Sequence, residues 1–98
     1  MDVSVLVPLF NEAESLPSLH AWIVRVMKEH ALSYEIVFVN DGSNDDSWQV
    51  IQSLREQDEH VKGICFRRNY GKSAALHCGF QMVQGDVVIT MDADLQDS

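Results

Sequence analysis

Val87-Val88-Ile89-Thr90-Met91 runs directly into Asp92-Ala93-Asp94-Leu95-Gln96-Asp97, and this stretch decides the fold. Five apolar or β-branched residues in succession predict a buried strand. Three carboxylates and an amide follow within six residues of its end. Carboxylates at Asp92 and Asp94 leave a strand end close together, and oxygen donors of that kind suit Mg²⁺ or Mn²⁺. On its own, Asp-x-Asp also describes an ordinary solvated turn in an acidic chain. The segments upstream decide between the two.

Working back from that stretch, the same unit recurs three times. Val3-Ser4-Val5-Leu6-Val7-Pro8 is a short apolar run stopped by proline, and it predicts a buried first strand. Asn11-Glu12-Ala13-Glu14 reads as an acidic helix start, with Pro17 admissible in the first turn. Leu16, Leu19, Ile23 and Val26, flanked by Trp22 and Met27, form one apolar face at helical spacing. Tyr34 to Val39 predicts a second strand. After the loop Asn40-Asp41-Gly42-Ser43-Asn44-Asp45, Trp48, Ile51 and Leu54 mark a second helix with Ser43 or Asn44 as its N-cap. Val61 to Phe66 predicts a third strand. Asn69-Tyr70-Gly71-Lys72 is a loop, and Ala75, Leu76, Gly79, Phe80 and Val83 form the buried stripe of a third helix.

This β-α-β-α-β-α-β order is Rossmann-like α/β, a parallel sheet with crossover helices. Right-handed crossovers place every strand's carboxyl end on one edge. Ligands of open α/β sheets bind at that edge, where the strand order reverses. The polar residues sort accordingly: Pro8 to Glu12 after the first strand, Asp41 after the second, Arg67 to Lys72 after the third, and Asp92 to Gln96 after the fourth.

Composition narrows the chemistry. The 98 residues carry a net charge of −8, which argues against nucleic acid as a partner because no basic stripe meets its phosphates. Arg67, Arg68 and Lys72 form a local basic exception. Cys65 and Cys78 share no metal-ligand spacing with histidine, and they read as reduced, packed thiols of a cytosolic protein. His20, His30, His60 and His77 share no motif and read as surface or packing residues. No apolar run approaches the 18 residues of a membrane span, and the start lacks the basic region of a signal peptide.

Each polar segment carries two readings. Asp41 is an acceptor suited to a base N–H or a ribose hydroxyl, or a turn residue of Asp41-Gly42-Ser43. Glu12 lines a site or supplies first-turn helix charge. Lys72, with Gly71 before it, offers a cation and free N–H groups to a phosphate. Neither a P-loop nor Gly-x-Gly-x-x-Gly is present. Asp92 and Asp94 would hold the metal that neutralises a diphosphate, with Gln96 as a further oxygen ligand. Val-Ile-Thr-Met-Asp-Ala-Asp also looks like the nucleophile loop of a haloacid-dehalogenase-type phosphatase. That motif normally opens its fold and carries Thr or Val where Gln96 stands.

As a set, Val-Pro-Leu-Phe-Asn-Glu (7–12), Val-Asn-Asp-Gly-Ser (39–43), Arg-Asn-Tyr-Gly-Lys-Ser-Ala-Ala-Leu (68–76) and Asp-Ala-Asp-Leu-Gln-Asp (92–97) resemble the family 2 glycosyltransferases with the GT-A fold. The last two look most like the polyprenyl-phosphate or dolichol-phosphate branch. The resemblance implies that residues 1–98 are the N-terminal, nucleotide-sugar-binding half of a GT-A domain, with the acceptor half beyond Ser98. It implies that Pro8, Phe10, Asn11, Glu12 and Asp41 line the pocket for base and ribose, with Lys72 nearby and Ala93 between the two aspartates at the donor. Asp92 and Asp94 would be the catalytic carboxylates, and with Gln96 they would bind Mg²⁺ or Mn²⁺. Asn40 stands where many relatives have a further aspartate. The activity implied is inverting transfer of a hexose from a UDP- or GDP-sugar to a polyprenyl phosphate, at the cytoplasmic face of a membrane. Transfer to a glycan or polysaccharide hydroxyl, and a non-catalytic fragment that self-associates through an open strand edge, are the alternatives.

Overall fold

Val, Ile, Leu and Phe fill both faces of the two central strands, so each strand is buried along its whole length. β1 spans Val3–Leu9 and β2 spans Tyr34–Asn40. The computed structural model describes residues 1–94. Between and after these strands come α1 (Leu16–Glu29), α2 (Ser47–Gln57), β3 (Val61–Cys65), α3 (Lys72–Phe80) and β4 (Val87–Thr90). All pairings are parallel, in the order β3-β2-β1-β4. The expected α/β architecture is present.

The helices divide between two faces. Val3, Val5, Val7 and Leu9 of β1 pack with Leu16, Leu19, Ile23 and Met27 of α1 and Ile51 and Leu54 of α2. On the other face, Leu6, Val37 and Val39 pack with Ala75 of α3. Helix α3 can approach closely because Gly79 faces β1: a Cβ there would lie 2.3 Å from Leu6 Cδ1. The chain adds strands in one direction through β3, then α3 carries it back across the sheet to the far side of β1. The order therefore reverses between β1 and β4, and the carboxyl ends of those two strands flank a crevice.

Several element boundaries differ from the sequence reading. α1 begins at Leu16, so Asn11 to Glu14 lie in the preceding loop and turn instead of in the helix. Met27 takes the buried position expected of Val26. Neither Ser43 nor Asn44 caps α2. Asp45 Oδ1 instead accepts from the Ser47 N–H and hydroxyl at 2.9 and 2.6 Å, just before the helix. Phe80 is exposed at the end of α3 and Val83 lies beyond it. Cys65 is exposed where a packed thiol was expected. The largest correction concerns β4. It is an edge strand with Val87 and Ile89 exposed, because nothing among the described residues covers its outer side.

Pro8 shapes the crevice. β1 runs through it to Leu9, pairing with β2 along its whole length. The ladder to β4, however, ends at Leu6↔Thr90 and the Met91 N–H to the Leu6 carbonyl. The next ladder donor on that side of β1 would be residue 8, which has no N–H. The two chains part there.

Candidate functional site

At the carboxyl edge the loops after β1 and β2 are bound to each other. Three successive main-chain N–H groups of the first are taken by side chains of the second and of the start of α2: Asn11 by Ser43 Oγ (2.8 Å), Glu12 by Ser47 Oγ (3.0 Å) and Ala13 by Asp45 Oδ2 (3.2 Å). Asn11, at φ 55°, returns its side-chain oxygen to the N–H groups of Asn44 and Asp45. Burial raises the Asp45 pKa, but the hydrogen bonds from Ser47 and Ala13 outweigh it and hold the carboxyl below its usual range. Asn11 thus joins the two loops through its side-chain oxygen.

Asp41 is held as firmly. It is buried, and its carboxylate accepts from the N–H groups of Tyr70 (2.7 Å) and Gly71 (3.0 Å) and from the Asn69 amide (3.2 Å). The Asn69 amide also reaches the Asp41 carbonyl at 3.2 Å. A carboxylate has about four lone-pair sites, so one remains for an outside donor. Gly42 makes the contact of these loops possible. It sits at φ +71°, and a Cβ on it would lie 2.1 Å from the Arg68 carbonyl carbon. The outer side of the 66–71 loop carries an edge-to-face pair of Phe66 and Tyr70, centroids 5.6 Å apart, with the Arg68 guanidinium 5.0 Å from the centre of the Tyr70 ring.

These anchored loops surround an open hollow of about 410 Å³ lined by Pro8, Leu9, Phe10, Glu12, Lys72, Asp92, Ala93 and Asp94. A second hollow of about 350 Å³ shares Pro8, Phe10, Lys72 and Asp92 with it and extends to Asp41, Asn69 and Gly71. The structure therefore brings Pro8, Phe10, Glu12, Asp41, Lys72, Asp92, Ala93 and Asp94 together, and leaves Asn11 among the loop contacts. Phe10 exposes its ring at the rim, while Ala93 is buried in the core and anchors the turn between the two aspartates. Lys72, the first residue of α3, places its Nζ 2.6 Å from Asp92 Oδ1. Gln96 lies outside the described residues.

Among the described residues no group of three or more His, Cys, Asp or Glu side chains forms a metal cage. Asp92 and Asp94 nevertheless fit Mg²⁺ or Mn²⁺, which take one or two protein carboxylates and complete their shell with water and substrate phosphates.

Two clusters escaped the sequence reading. At the opposite edge of the sheet, the buried Glu35 accepts from Lys62 Nζ (2.6 Å), the Ser4 hydroxyl (2.5 Å) and the Gln84 N–H (2.7 Å). Ser4 Oγ in turn accepts from the Gly85 N–H at 2.8 Å. A lone glutamate inside the apolar run 34–39 was the available signal. In the second cluster, Asp58 lies 2.7 Å from both His20 Nε2 and His60 Nδ1, and the His60 ring stacks on Tyr34. These histidines are far apart in sequence, and spacing carried no trace of their shared carboxylate.

The sequence that builds this sheet and places paired aspartates beyond β4 matches a known family model, Glycosyl transferase family 2, over residues 4–98. The chain belongs to glycosyl transferase family 2. Relatives in family 2 include the undecaprenyl-phosphate 4-deoxy-4-formamido-L-arabinose transferase of Pseudomonas fluorescens, 45% identical over 96% of this chain and 28% of its own length. The putative glycosyltransferase CsbB of Bacillus subtilis is also 45% identical, over 96% of this chain and 29% of its own. Among solved structures, the mannosyltransferase PcManGT of Pyrobaculum calidifontis, in complex with GDP-Man and Mn²⁺, aligns with a TM-score of 0.79 at 24% identity, over 94% of this chain and 27% of that one. Residues 1–349 of S. aureus TarS in complex with UDP align with a TM-score of 0.80 at 23% identity, over 99% of this chain and 30% of that one. The fold is that of these glycosyltransferases, and the chain spans less than a third of each. Among the described residues no helix is long and apolar enough to cross a membrane.

Proposed function

We propose that residues 1–98 are the nucleotide-sugar-binding part of a metal-dependent, inverting glycosyltransferase that uses a UDP- or GDP-sugar and a polyprenyl-phosphate acceptor. The observation that carries this reading is the hollow in which Asp92 and Asp94 face Pro8, Phe10, Glu12 and Lys72 across the switch point. Phe10 offers an exposed ring to a base, and Asp41 retains one acceptor position for a base N–H or ribose hydroxyl. Lys72 and the start of α3 supply positive potential to a diphosphate. Asp92 and Asp94 would hold Mg²⁺ or Mn²⁺, which when bound supplies Lewis-acid stabilisation of a departing nucleoside diphosphate.

The comparisons support the parts of this reading separately. One structural neighbour contains GDP-Man with Mn²⁺, and TarS structures contain UDP or UDP-GlcNAc. Curated relatives are named for transfer to undecaprenyl phosphate. The sugar named in those relatives is an L-arabinose derivative, so the hexose of the sequence reading widens here to a hexose or a related sugar. A phosphate acceptor is already anionic at neutral pH and requires no strong general base. Such an enzyme works where a soluble nucleotide sugar meets a lipid phosphate, at the cytoplasmic face of a membrane. The phosphatase reading lapses with the family match, because Asp92 follows the fourth strand of this order and not the strand that opens the fold.

Calorimetric titration of UDP and GDP with and without Mn²⁺ tests the assignment. Asp94→Asn is expected to abolish the metal-dependent part of nucleotide binding. Metal-dependent affinity that survives this substitution unchanged refutes the site.

A further inference from the structure

Lys72 is already paired. Its ammonium lies 2.6 Å from Asp92 Oδ1, and Lys72 lines three hollows at the switch point, together with Glu12 and Asp94 in one, Asp41 and Asn69 in another, and Thr90 and Met91 in the third. A divalent cation on Asp92 and an ammonium at hydrogen-bond distance from the same carboxylate repel each other. One must yield. The Lys72 side chain is exposed, and nothing buries it against Asp92. Gly71 and Lys72, at the start of α3, line a hollow into which a diphosphate would bring new anionic oxygens.

We propose that Lys72 is a built-in counter-ion for Asp92 that makes metal binding conditional on the donor nucleotide. Without nucleotide, the ammonium competes with the metal for Asp92. When a nucleoside diphosphate enters, its oxygens take over the ammonium and leave Asp92 to the metal. Metal and nucleotide then promote each other's binding, and by linkage the factor is the same in both directions. This inference rests on the proposed role of Asp92 at the metal, and it assigns Lys72 a positioning role that neither the motif nor the family match specifies.

The test measures Mn²⁺ alone by electron paramagnetic resonance, and UDP with and without Mn²⁺ by calorimetry, on the wild-type chain, Lys72→Gln, Lys72→Arg and Asp92→Asn. For an exposed pair, removing the competing charge is worth roughly threefold in affinity. Lys72→Gln is therefore expected to bind Mn²⁺ alone roughly threefold more tightly, to bind UDP with Mn²⁺ less tightly, and to show a smaller mutual enhancement. Lys72→Arg, which keeps the charge, is expected to follow the wild type for Mn²⁺ alone. If Lys72→Gln binds Mn²⁺ no more tightly than wild type while Asp92→Asn loses Mn²⁺, the counter-ion role is overturned and the metal site stands. If Asp92→Asn leaves Mn²⁺ binding unchanged, the metal site itself is overturned, and the proposal with it.

Discussion

Glu35→Gln probes how the far edge of the sheet holds the strand that carries the aspartates. Glu35 is 1% exposed on the central strand β2. Its two oxygens receive three donors, the Lys62 ammonium, the Ser4 hydroxyl and the Gln84 N–H. Glutamine keeps the shape but only one acceptor oxygen. Its NH₂ must face either the Lys62 ammonium or the two donors from Ser4 and Gln84. A hydrogen bond to a charged group contributes about 1.5–3 kcal/mol. The Lys62 side chain is about a third exposed and can turn to water, so its share is discounted. The expected cost is about 2 kcal/mol, a large fraction of the roughly 5–15 kcal/mol that holds a domain together. That corresponds to a fall in Tm on the order of 10 °C. Urea unfolding followed by circular dichroism measures it. A double-mutant cycle with Ser4→Ala separates the hydroxyl from the rest. A Glu35→Gln chain within about 0.5 kcal/mol of wild type, the range of ordinary surface changes, would refute the reasoning.

Two further outcomes concern Glu35 together with Asp58, and Asp41. Burial raises the pKa of Glu35, but the hydrogen bonds from Lys62, Ser4 and Gln84 outweigh it; burial likewise raises Asp58, and the bonds from His60 and His20 prevail. Both folded values lie below the unfolded ones, so the stability they contribute is present above the ordinary carboxylate range and is lost as pH falls through the folded values. The urea midpoint is expected to drop on acidification below about pH 4.5, and less steeply in Glu35→Gln. Asp41→Ala strips the acceptor from the Tyr70 and Gly71 N–H groups and is expected to cost about 1–3 kcal/mol. Hydrogen exchange at those two amides should accelerate relative to the strands, and unchanged protection would show that Asp41 does not hold the loop.

Much of this site was legible in the sequence because periodicity and chirality do most of the work. Apolar runs of five to seven residues separated by helical stripes leave few topologies, and right-handed crossovers then send Pro8, Asp41, Lys72 and Asp92 to one edge. What stayed hidden depends on neighbours that a linear pattern does not name. Val87 to Met91 has the composition of a buried strand, yet Val87 and Ile89 are exposed because no described neighbour covers them. Asn11 and Asp41 are polar loop residues whose partners sit some thirty positions away, so their engagement with other loops could not be distinguished from readiness for a ligand. Lys72 was placed near the site, but its pairing with Asp92 depends on how α3 is aimed.

The reversal of strand order has a consequence for the timing of assembly. β2 and β3 each pair with the strand just before them in the chain, whereas β4 pairs with β1, the first strand, across all the elements between them. Contacts between distant parts of a chain form at greater entropic cost and more slowly. The pairing that forms the crevice between Pro8 and Asp92 is therefore the costliest of the three strand pairings to bring together. A nucleotide held in the proposed site would touch both sides of this pairing and so would favour the state in which β1 and β4 are joined.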